Sequence, residues 1–426
     1  MKTLIRGGRV VDPSQGLDAV LDVLLEDGNV ARIDSQIEPS GAEVIEAKGH
    51  VIAPGLIDMH VHLREPGHEY KETVRTGTIS AAAGGFTAVA CMANTEPVND
   101  NRSVTEHILS EARRHGFARV YPIGAISKGL RGEELSEVGE LVEAGAVALS
   151  DDGRPVSNAE LMRRVLLYAQ HYGVRVIQHA QDLDLSAGGV MHEGEVSVCC
   201  GMPGIPGAAE DVMVARDLIL LDDSGGKYHV AHLSTARSLD LVRQARQRGL
   251  DVTCEVTPHH LLLTDRLVLD SGFSTAAKMN PPLRSESDRE ALIQGLCDGT
   301  VDAIATDHAP HHADEKMHSF QQAPFGIVGL ETSLALGLDR LVHSGLMSMS
   351  RLIDLLSTGP ARALGVPGGT LRVGSVADVT IFDPEGTTSV DPALFRSKSR
   401  NTPFAGWTLR GAPVMTLIAG QRITLP

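Results

Sequence analysis

Aromatic residues, cysteines and long apolar runs are all scarce in this chain of 426 residues. Phe, Trp and Tyr make up only 3% of it, so a core has to be built from Ala, Val, Leu and Ile. The five cysteines are odd in number and lack paired metal-ligand spacing, which argues against a disulfide framework. No apolar run approaches the roughly 18 residues of a membrane span, and no apolar signal core follows Lys2 and Arg6. We therefore expect a cytoplasmic protein without a membrane partner.

Positive charge is also in deficit. Lys and Arg number 38 against 54 Asp and Glu, so the formal net charge is −16. This balance argues against nucleic acid as the main partner. The charge sum leaves out 18 histidines, and their positions are the most informative feature of the chain.

Both ends of the chain have the pattern of short strands. Residues 1–52 and 368–426 contain brief apolar or alternating runs, separated by turn residues such as Gly7-Gly8 and Asp27-Gly28. Chain ends often lie close together. We therefore predict that the two segments pair into one small, sandwich-like β domain built from both termini.

Strands alternate with helices across residues 53–367, which we predict to form the second domain. The predicted helices cover residues 71–83, 103–115, 133–144, 158–171, 208–221, 236–248 and 287–297. Such alternation is typical of a parallel sheet with helical crossovers, and its length favours a (β/α)8 TIM-like barrel. Nine strand candidates exceed the eight required, so either residues 252–256 or residues 276–279 should be extended loop. An open doubly wound sheet is the alternative, but no Gly-rich phosphate loop follows the first strand.

Metal-binding residue types recur at the predicted carboxyl ends of these strands, where a barrel places its active site. They are His60 and His62, the pair Asp151 and Asp152, His179, His232 and Asp307. Residues two apart in a strand point the same way, so His60 and His62 can reach one ion. Two histidines and an aspartate suit one zinc ion, two further histidines suit a second, and a carboxylate would bridge them.

Two of these positions allow more than one interpretation. Asp-Asp-Gly is also a common turn sequence, and the sequence does not decide whether Asp151 or Asp152 points into the mouth. Asp307 can be a helix cap or a plain ligand. Beside a metal hydroxide, a carboxylate can also take up the proton and return it to a leaving nitrogen, and we favour this dual role.

A further group of residues is placed to line a substrate pocket. Arg64 can clamp a substrate carboxylate or form a surface salt bridge. Asn94 and Asn280 each follow a strand candidate and can instead be turn formers. His311 adds an imidazole, and Phe325-Gly326 has the pattern of a mobile loop whose backbone contacts substrate.

The motifs around these residues resemble a known family. The stretch from Pro54 to His62 resembles the opening of the amidohydrolase superfamily, and His62-Leu-Arg-Glu-Pro-Gly67 resembles dihydroorotases of the longer, bacterial type I. Supporting stretches are Met92-Ala-Asn-Thr95, Ser150-Asp-Asp-Gly153, Val230-Ala-His-Leu-Ser234, Thr257-Pro-His-His260, Lys278-Met-Asn-Pro-Pro-Leu283 and Ala305-Thr-Asp-His-Ala-Pro-His311. They span almost the whole chain.

The resemblance implies a zinc-dependent, reversible ring opening of dihydroorotate to carbamoyl aspartate in pyrimidine synthesis. In this chain His60, His62 and Asp307 would bind one zinc ion, His179 and His232 the second, with Asp152 as the bridge. Asp307 would also shuttle the proton. The substrate would be held by Arg64, Asn94, Asn280, His311 and the Phe325-Gly326 backbone. The family further implies a homodimer, and some members associate with aspartate transcarbamoylase.

One departure from the wider superfamily separates the alternatives. Hydantoinases and dihydropyrimidinases bridge their metals with a carboxylated lysine on the fourth strand, whereas residues 148–153 contain no lysine. An Asp bridge is shorter, so the second zinc ion is expected to be weakly held. The rivals are a hydantoinase or allantoinase, and a catalytically dead homologue that acts as a scaffold. Arg64 argues against the first, since dihydroorotate carries a carboxylate, and the full set of ligands argues against the second.

Overall fold

The chain forms two large β-sheets, and helices connect the successive strands of one of them, in a computed structural model that describes residues 2–426. The strands are β1 (Lys2–Asp12), β2 (Leu17–Glu26), β3 (Asn29–Asp34), β4 (Glu43–Glu46), β5 (Val51–Pro54), β6 (Leu56–Val61), β7 (Phe86–Cys91), β8 (Arg119–Gly124), β9 (Ala148–Ser150), β10 (Arg175–Gln178), β11 (Met191–His192), β12 (Gly204–Ile205), β13 (Tyr228–Val230), β14 (Val252–Val256), β15 (Ala303–Ile304), β16 (Val379–Ser389), β17 (Thr408–Ile418) and β18 (Gln421–Arg422). The α-helices are α1 (Val74–Ala83), α2 (Arg102–His115), α3 (Val138–Ala144), α4 (Ala159–Tyr172), α5 (Glu195–Cys200), α6 (Ala208–Ser224), α7 (Ala236–Gln247), α8 (Pro258–Leu262), α9 (Arg266–Asp270), α10 (Glu286–Cys297), α11 (Ala313–Lys316), α12 (Ser333–Gly337), α13 (Met349–Ile353) and α14 (Gly359–Leu364). No helix among these residues is long and apolar enough to cross a bilayer.

The two ends of the chain share one sheet, as the sequence predicts. Its strand order is β18-β17-β16-β5-β1-β2-β3, with β4 on β1, and β16 pairs antiparallel with β5. Gly7-Gly8 is not the predicted turn, because β1 runs through it with a bulge between Ile5 and Gly8. Gly7 has a φ of +70°, a backbone conformation that glycine adopts without strain, so the extra residue is absorbed inside the strand.

The second sheet is a parallel barrel of eight strands. Its order is β6-β7-β8-β9-β10-β13-β14-β15. The strand at Val252–Val256 is therefore a barrel strand, while residues 275–277 form a 3₁₀ turn, which settles the surplus candidate. The His62 amide donates to the His308 carbonyl oxygen at 2.8 Å, and a bridge joins Val61 to His308, so the first and last strands meet. This closure excludes the open doubly wound sheet.

The crossover helices lie close to their predicted positions. Helix α1 begins at Val74 rather than at residue 71, because Thr73 caps it reciprocally with Thr76. Helix α3 begins at Val138 rather than at residue 133, because Leu135 forms a bridge to Ser127. The barrel strands and the inner faces of these helices share one large apolar core, which holds the strand ends rigidly in place.

Candidate metal centre

Six side chains leave the carboxyl ends of five barrel strands and converge at one mouth. They are His60 at the end of β6, His62 just after it, Asp152 after β9, His179 after β10, His232 after β13 and Asp307 after β15. None is more than 7% exposed. Parallel strands in a barrel end on the same face, which is why residues far apart in sequence meet here.

His60, His62 and Asp307 form what we call the first ligand set. The Asp307 Oδ1 atom lies 3.2 Å from His62 Nε2 and 3.6 Å from His60 Nε2. One ligand atom from each of these residues falls within 4.8 Å of the other two. That spacing suits three ligands of a single ion.

His179 and His232 form the second ligand set, with His179 Nδ1 lying 2.9 Å from His232 Nε2. Asp152 lies between the two sets. Its Oδ1 atom is 3.3 Å from His60 Nε2, 3.4 Å from His232 Nε2 and 3.6 Å from His179 Nδ1, and its Oδ2 atom is 3.5 Å from His62 Nε2. One carboxylate therefore touches all four histidines, and His60, Asp152 and His232 form a second cluster of metal-binding spacing.

The polar atoms at the centre of the cluster point to a bound cation. Across residues 2–426, neither His60 Nε2 nor Asp152 Oδ1 has a hydrogen-bond partner, although both are buried and 3.3 Å apart. Buried polar atoms are nearly always paired in native proteins. Imidazole nitrogen and carboxylate oxygen are common metal ligands, so the residues present fit a metal ion.

The structure separates the two adjacent aspartates. Asp151 points away from the mouth, and its Oδ1 atom accepts hydrogen bonds from the amides of Ile126 at 2.7 Å and Ser127 at 3.0 Å. Asp152 is the residue that enters the cluster. Asp151 thus holds the loop after β8, a role that the sequence did not predict.

Electrostatics keep both cluster carboxylates ionised. Burial opposes ionisation of Asp307, but the hydrogen bond to His62 and the positive potential of His60 outweigh burial and lower its pKa. Burial also opposes ionisation of Asp152, and His60 together with His179 holds its pKa well below the usual range. Metal ligands must be deprotonated, and the two ionised carboxylates meet that requirement.

A cavity of about 350 Å³ opens beside the cluster. It is lined by His62, Arg64, Asn94, Asp152, Gly153, His179, His232, Asn280, Asp307, Ala309, His311, Pro324, Phe325 and Gly326. The side chain of Arg64 donates from Nε to the Pro310 carbonyl oxygen at 3.2 Å. Neither terminal nitrogen of Arg64 has a hydrogen bond to another of the described residues, so both can receive an anionic group.

The two asparagines predicted to hold substrate are also tied to metal-ligand histidines. Asn94 Oδ1 lies 2.9 Å from His62 Nδ1. Asn280 Nδ2 lies 3.2 Å from His179 Nε2, while its Oδ1 atom is buried without a hydrogen-bond partner among residues 2–426. Asn280 therefore keeps an acceptor free for a ligand, and Asn94 orients a ring.

The segment with Phe325 and Gly326 forms one wall of the cavity, and its backbone is already engaged. His311 Nε2 lies 2.7 Å from the Phe325 carbonyl oxygen, and the Gly326 amide donates to the Lys278 carbonyl oxygen at 2.9 Å. Lys316 Nζ donates to the Gly326 carbonyl oxygen at 3.0 Å. A Cβ on Gly326 would lie 3.0 Å from His311 Nε2, and its φ of +130° also favours glycine.

Sequence reasoning missed two residues that orient ligand histidines. Gln181 Oε1 lies 2.9 Å from His179 Nε2, and Glu255 Oε1 lies 2.6 Å from His60 Nδ1. Gln181 follows His179 by two residues, the same spacing that links His60 and His62, so a signal was present. Glu255 sits inside β14, where an acidic residue between apolar neighbours was the only signal.

Three residues of the mouth have an uncommon backbone conformation. The φ angles of Arg64, His232 and Asp307 are +64°, +30° and +47°. Residues other than glycine are seldom found there, and such strain is concentrated at functional sites. The strain therefore marks the same mouth that the side chains identify.

The chain is similar to known proteins over almost its whole length. Residues 49–238 match the family model described as dihydro-orotase-like, and residues 302–424 match the amidohydrolase family. A dihydroorotase of Geobacter metallireducens is 54% identical over 99% of each chain. A dihydroorotase of Pelotomaculum thermopropionicum is also 54% identical, over 99% of this chain and 98% of its own.

Solved structures extend the likeness to related enzymes. A dihydropyrimidinase from Brevibacillus agri is 25% identical, with a TM-score of 0.87 over 100% of this chain and 95% of its own. An L-hydantoinase from Arthrobacter aurescens is 27% identical, with a TM-score of 0.88 over 99% of this chain and 96% of its own. These likenesses confirm the barrel with its added β domain.

Proposed function

This chain belongs to the dihydroorotase family, and we propose that it catalyses the reversible, metal-dependent interconversion of (S)-dihydroorotate and N-carbamoyl-L-aspartate in pyrimidine synthesis. The family resemblance of the motifs is confirmed by relatives 54% identical over almost the whole chain. The observation that carries the proposal is geometric. Four histidines and two aspartates meet at the barrel mouth, with unpaired buried atoms at their centre, beside Arg64, whose two terminal nitrogens bond to none of the described residues.

The family is metal-dependent, and we propose two zinc ions per chain. His60, His62 and Asp307 would hold one, His179 and His232 the other, and Asp152 would bridge them. When bound, such ions act as Lewis acids toward a carbonyl oxygen and lower the pKa of a water molecule toward neutrality. The support is the contact of Asp152 with all four histidines at 3.3–3.6 Å.

We assign proton transfer to Asp307. Ring opening adds water to the ring amide carbonyl, breaks the C–N bond and leaves a proton to be placed on the departing nitrogen. Asp307 is ionised and faces the cavity, so its carboxylate can accept the proton of the attacking water and then donate it to that nitrogen. In the direction of ring closure the same carboxylate removes the proton from the attacking nitrogen.

The remaining pocket groups recognise the substrate. Arg64 presents two free guanidinium nitrogens, which match a carboxylate bidentately. The unpaired Asn280 Oδ1 atom can accept a ring N–H, and Asn94 lines the same cavity. His311 with the Phe325 and Gly326 backbone would complete the wall, once a ligand replaces the contact between His311 and the Phe325 carbonyl oxygen.

A parallel assay tests the activity. We expect the purified protein to convert dihydroorotate and carbamoyl aspartate, to turn over hydantoin and allantoin at far lower rates, and to lose activity on chelation. Metal content per chain, measured on the same sample, separates an active enzyme from a dead homologue. Faster turnover of hydantoin than of dihydroorotate, or full activity without metal, would contradict the proposal.

The wider assignments also belong to this proposal. The division into a β domain of residues 1–52 and 368–426 and a barrel domain of residues 53–367 is supported by the pairing of β5 with β16. A cytoplasmic location, a homodimer and association with aspartate transcarbamoylase are supported by the family resemblance alone. Light scattering of the chain with and without aspartate transcarbamoylase would test the last two.

A further inference from the structure

Glu255 is a buried carboxylate that the proposed reaction does not use. It lies within β14 and is 1% exposed. Its Oε1 atom is 2.6 Å from His60 Nδ1 and accepts the backbone amide of His232 at 3.3 Å. Its Oε2 atom is 3.3 Å from His229 Nε2. One carboxylate therefore contacts a residue from each of the two ligand sets.

The contact with His60 determines which ring nitrogen is free. An ionised carboxylate only accepts hydrogen bonds, so His60 Nδ1 carries the hydrogen, and in the neutral ring that a metal ion requires Nε2 then carries the lone pair. The Nε2 atom of His60 lies on the inner side of the ring, where it faces Asp152 and has no hydrogen-bond partner within residues 2–426. The lone pair thus points to the centre of the cluster.

The other ligand histidines have weaker outer partners. The outer nitrogens of His62 and His179 face the amide oxygens of Asn94 and Gln181, each at 2.9 Å. A hydrogen bond to an ionised acceptor is roughly twice as strong as one between neutral groups. Among the four rings, His60 is the one whose outer nitrogen is held by a charged group.

We propose that Glu255 is a positioning residue for the metal centre, which holds His60 in the Nδ1–H tautomer and couples β6 to β13. The inference rests on the proposed metal site, because the oriented lone pair has a purpose only if an ion is bound. A carboxylate behind a ligand histidine fixes its ring and raises its basicity, and such outer partners are worth 10- to 100-fold in metal affinity. Glu255 itself does not line the cavity beside the cluster.

The variant Glu255→Gln tests this role through metal affinity rather than turnover. It keeps the size of the side chain and removes the charge. We expect the zinc dissociation constant, measured by competition with a chromophoric chelator, to rise about 10- to 100-fold. The matched control is Asp12→Asn, a fully buried carboxylate of the β domain that accepts the Leu371 amide at 2.7 Å. It should lower the melting temperature of the metal-free protein and leave zinc affinity unchanged.

The outcomes distinguish three cases. Zinc affinity within threefold of the parent in Glu255→Gln, with only the melting temperature lowered, would show a merely structural role and overturn the inference. A parent protein that binds no zinc would instead overturn the proposed function. If Glu255→Gln does not fold, Glu255→Asp and the ¹⁵N-histidine spectrum of the zinc-loaded parent decide, since protonation of His60 at Nε2 would also overturn the inference.

Discussion

The two ligand sets of the mouth hold their imidazole rings in different ways. In the first set, both rings have an outer partner, because His60 Nδ1 meets Glu255 at 2.6 Å and His62 Nδ1 meets Asn94 at 2.9 Å. In the second set, His179 has the amide oxygen of Gln181, also at 2.9 Å. His232 has none, since its Nδ1 atom is buried without a hydrogen-bond partner in the part of the chain described.

The difference concerns how far the imidazole rings are already fixed in orientation and tautomer before a metal binds. A ring with a fixed tautomer and a fixed angle loses little entropy on binding, whereas a ring without an outer partner has to be ordered by the ion itself. We therefore expect the first set to bind its ion more tightly than the second. The expectation from the sequence, that a short Asp bridge leaves the second ion weakly held, points the same way for a separate reason.

The largest effect is expected where the first set also performs the chemistry. Asp307→Asn keeps a carbonyl oxygen near His62 but removes the group that accepts and returns the proton. Loss of a general acid–base typically costs 10²- to 10⁴-fold, so we expect kcat to fall by about that factor in enzyme saturated with excess zinc, because Asp307 is also a proposed ligand and its loss weakens zinc binding. Steady-state kinetics with metal analysis measure both quantities. Normal turnover with metal bound would refute the proton shuttle.

The bridge between the sets is the next target. Asp152→Asn removes the carboxylate that contacts all four histidines, so we expect metal affinity to fall by more than the 10- to 100-fold cost of losing an outer partner. Asp151→Asn is the matched control. It weakens buried hydrogen bonds to Ile126 and Ser127, so it should lower the free energy of unfolding by about 1–3 kcal/mol. Metal affinity should stay unchanged. Equal metal loss in both variants would contradict the assignment of Asp152.

The pair of aspartates also shows where sequence reasoning stops. The alternation of side chains along a strand predicts that the imidazoles of His60 and His62 point to the same face, because a strand has only two faces. After β9 the backbone enters a turn at Asp152 and Gly153, so alternation no longer applies, and the local backbone decides that Asp152 enters the mouth while Asp151 holds a loop. The barrel strands and crossover helices could be predicted from the alternation of strand-like and helix-like segments. The first four helices, α1, α2, α3 and α4, lie within five residues of their predicted bounds.

Residues that act through another residue were the least predictable. Glu255 lies within β14, and its role depends on its contact with His60, which is 195 positions away in the chain. The turn predicted at Gly7-Gly8 was wrong for a related reason. A bulge inside β1 and a turn between two strands use the same residue types. Both cases depend on pairing with a distant segment, which a local pattern does not contain.

Stepwise removal of metal compares the two sets directly. If the first set is better ordered, titration with a chelator should remove zinc in two stages, with affinities that differ by about 10-fold or more. We expect the ion of the second set to leave first. Zinc content per chain after dialysis against graded chelator concentrations measures the stages. A single stage that removes all the metal would mean that Asp152 makes the two sets one cooperative unit, and would end the comparison.

The smallest expected effect comes from removing the one outer partner in the second ligand set, the Gln181 amide behind His179. Gln181→Ala removes the outer partner of His179 and leaves that set, like His232, without an acceptor behind either ring. An uncharged hydrogen bond is worth about 0.5–1.5 kcal/mol, which predicts a roughly 2- to 10-fold weaker second ion and an unchanged first ion. Asn94→Ala is the mirror experiment and should weaken the first ion instead. If both variants weaken the same stage of the chelator titration, the division into two sets is wrong, because the outer partners would then act on one shared centre.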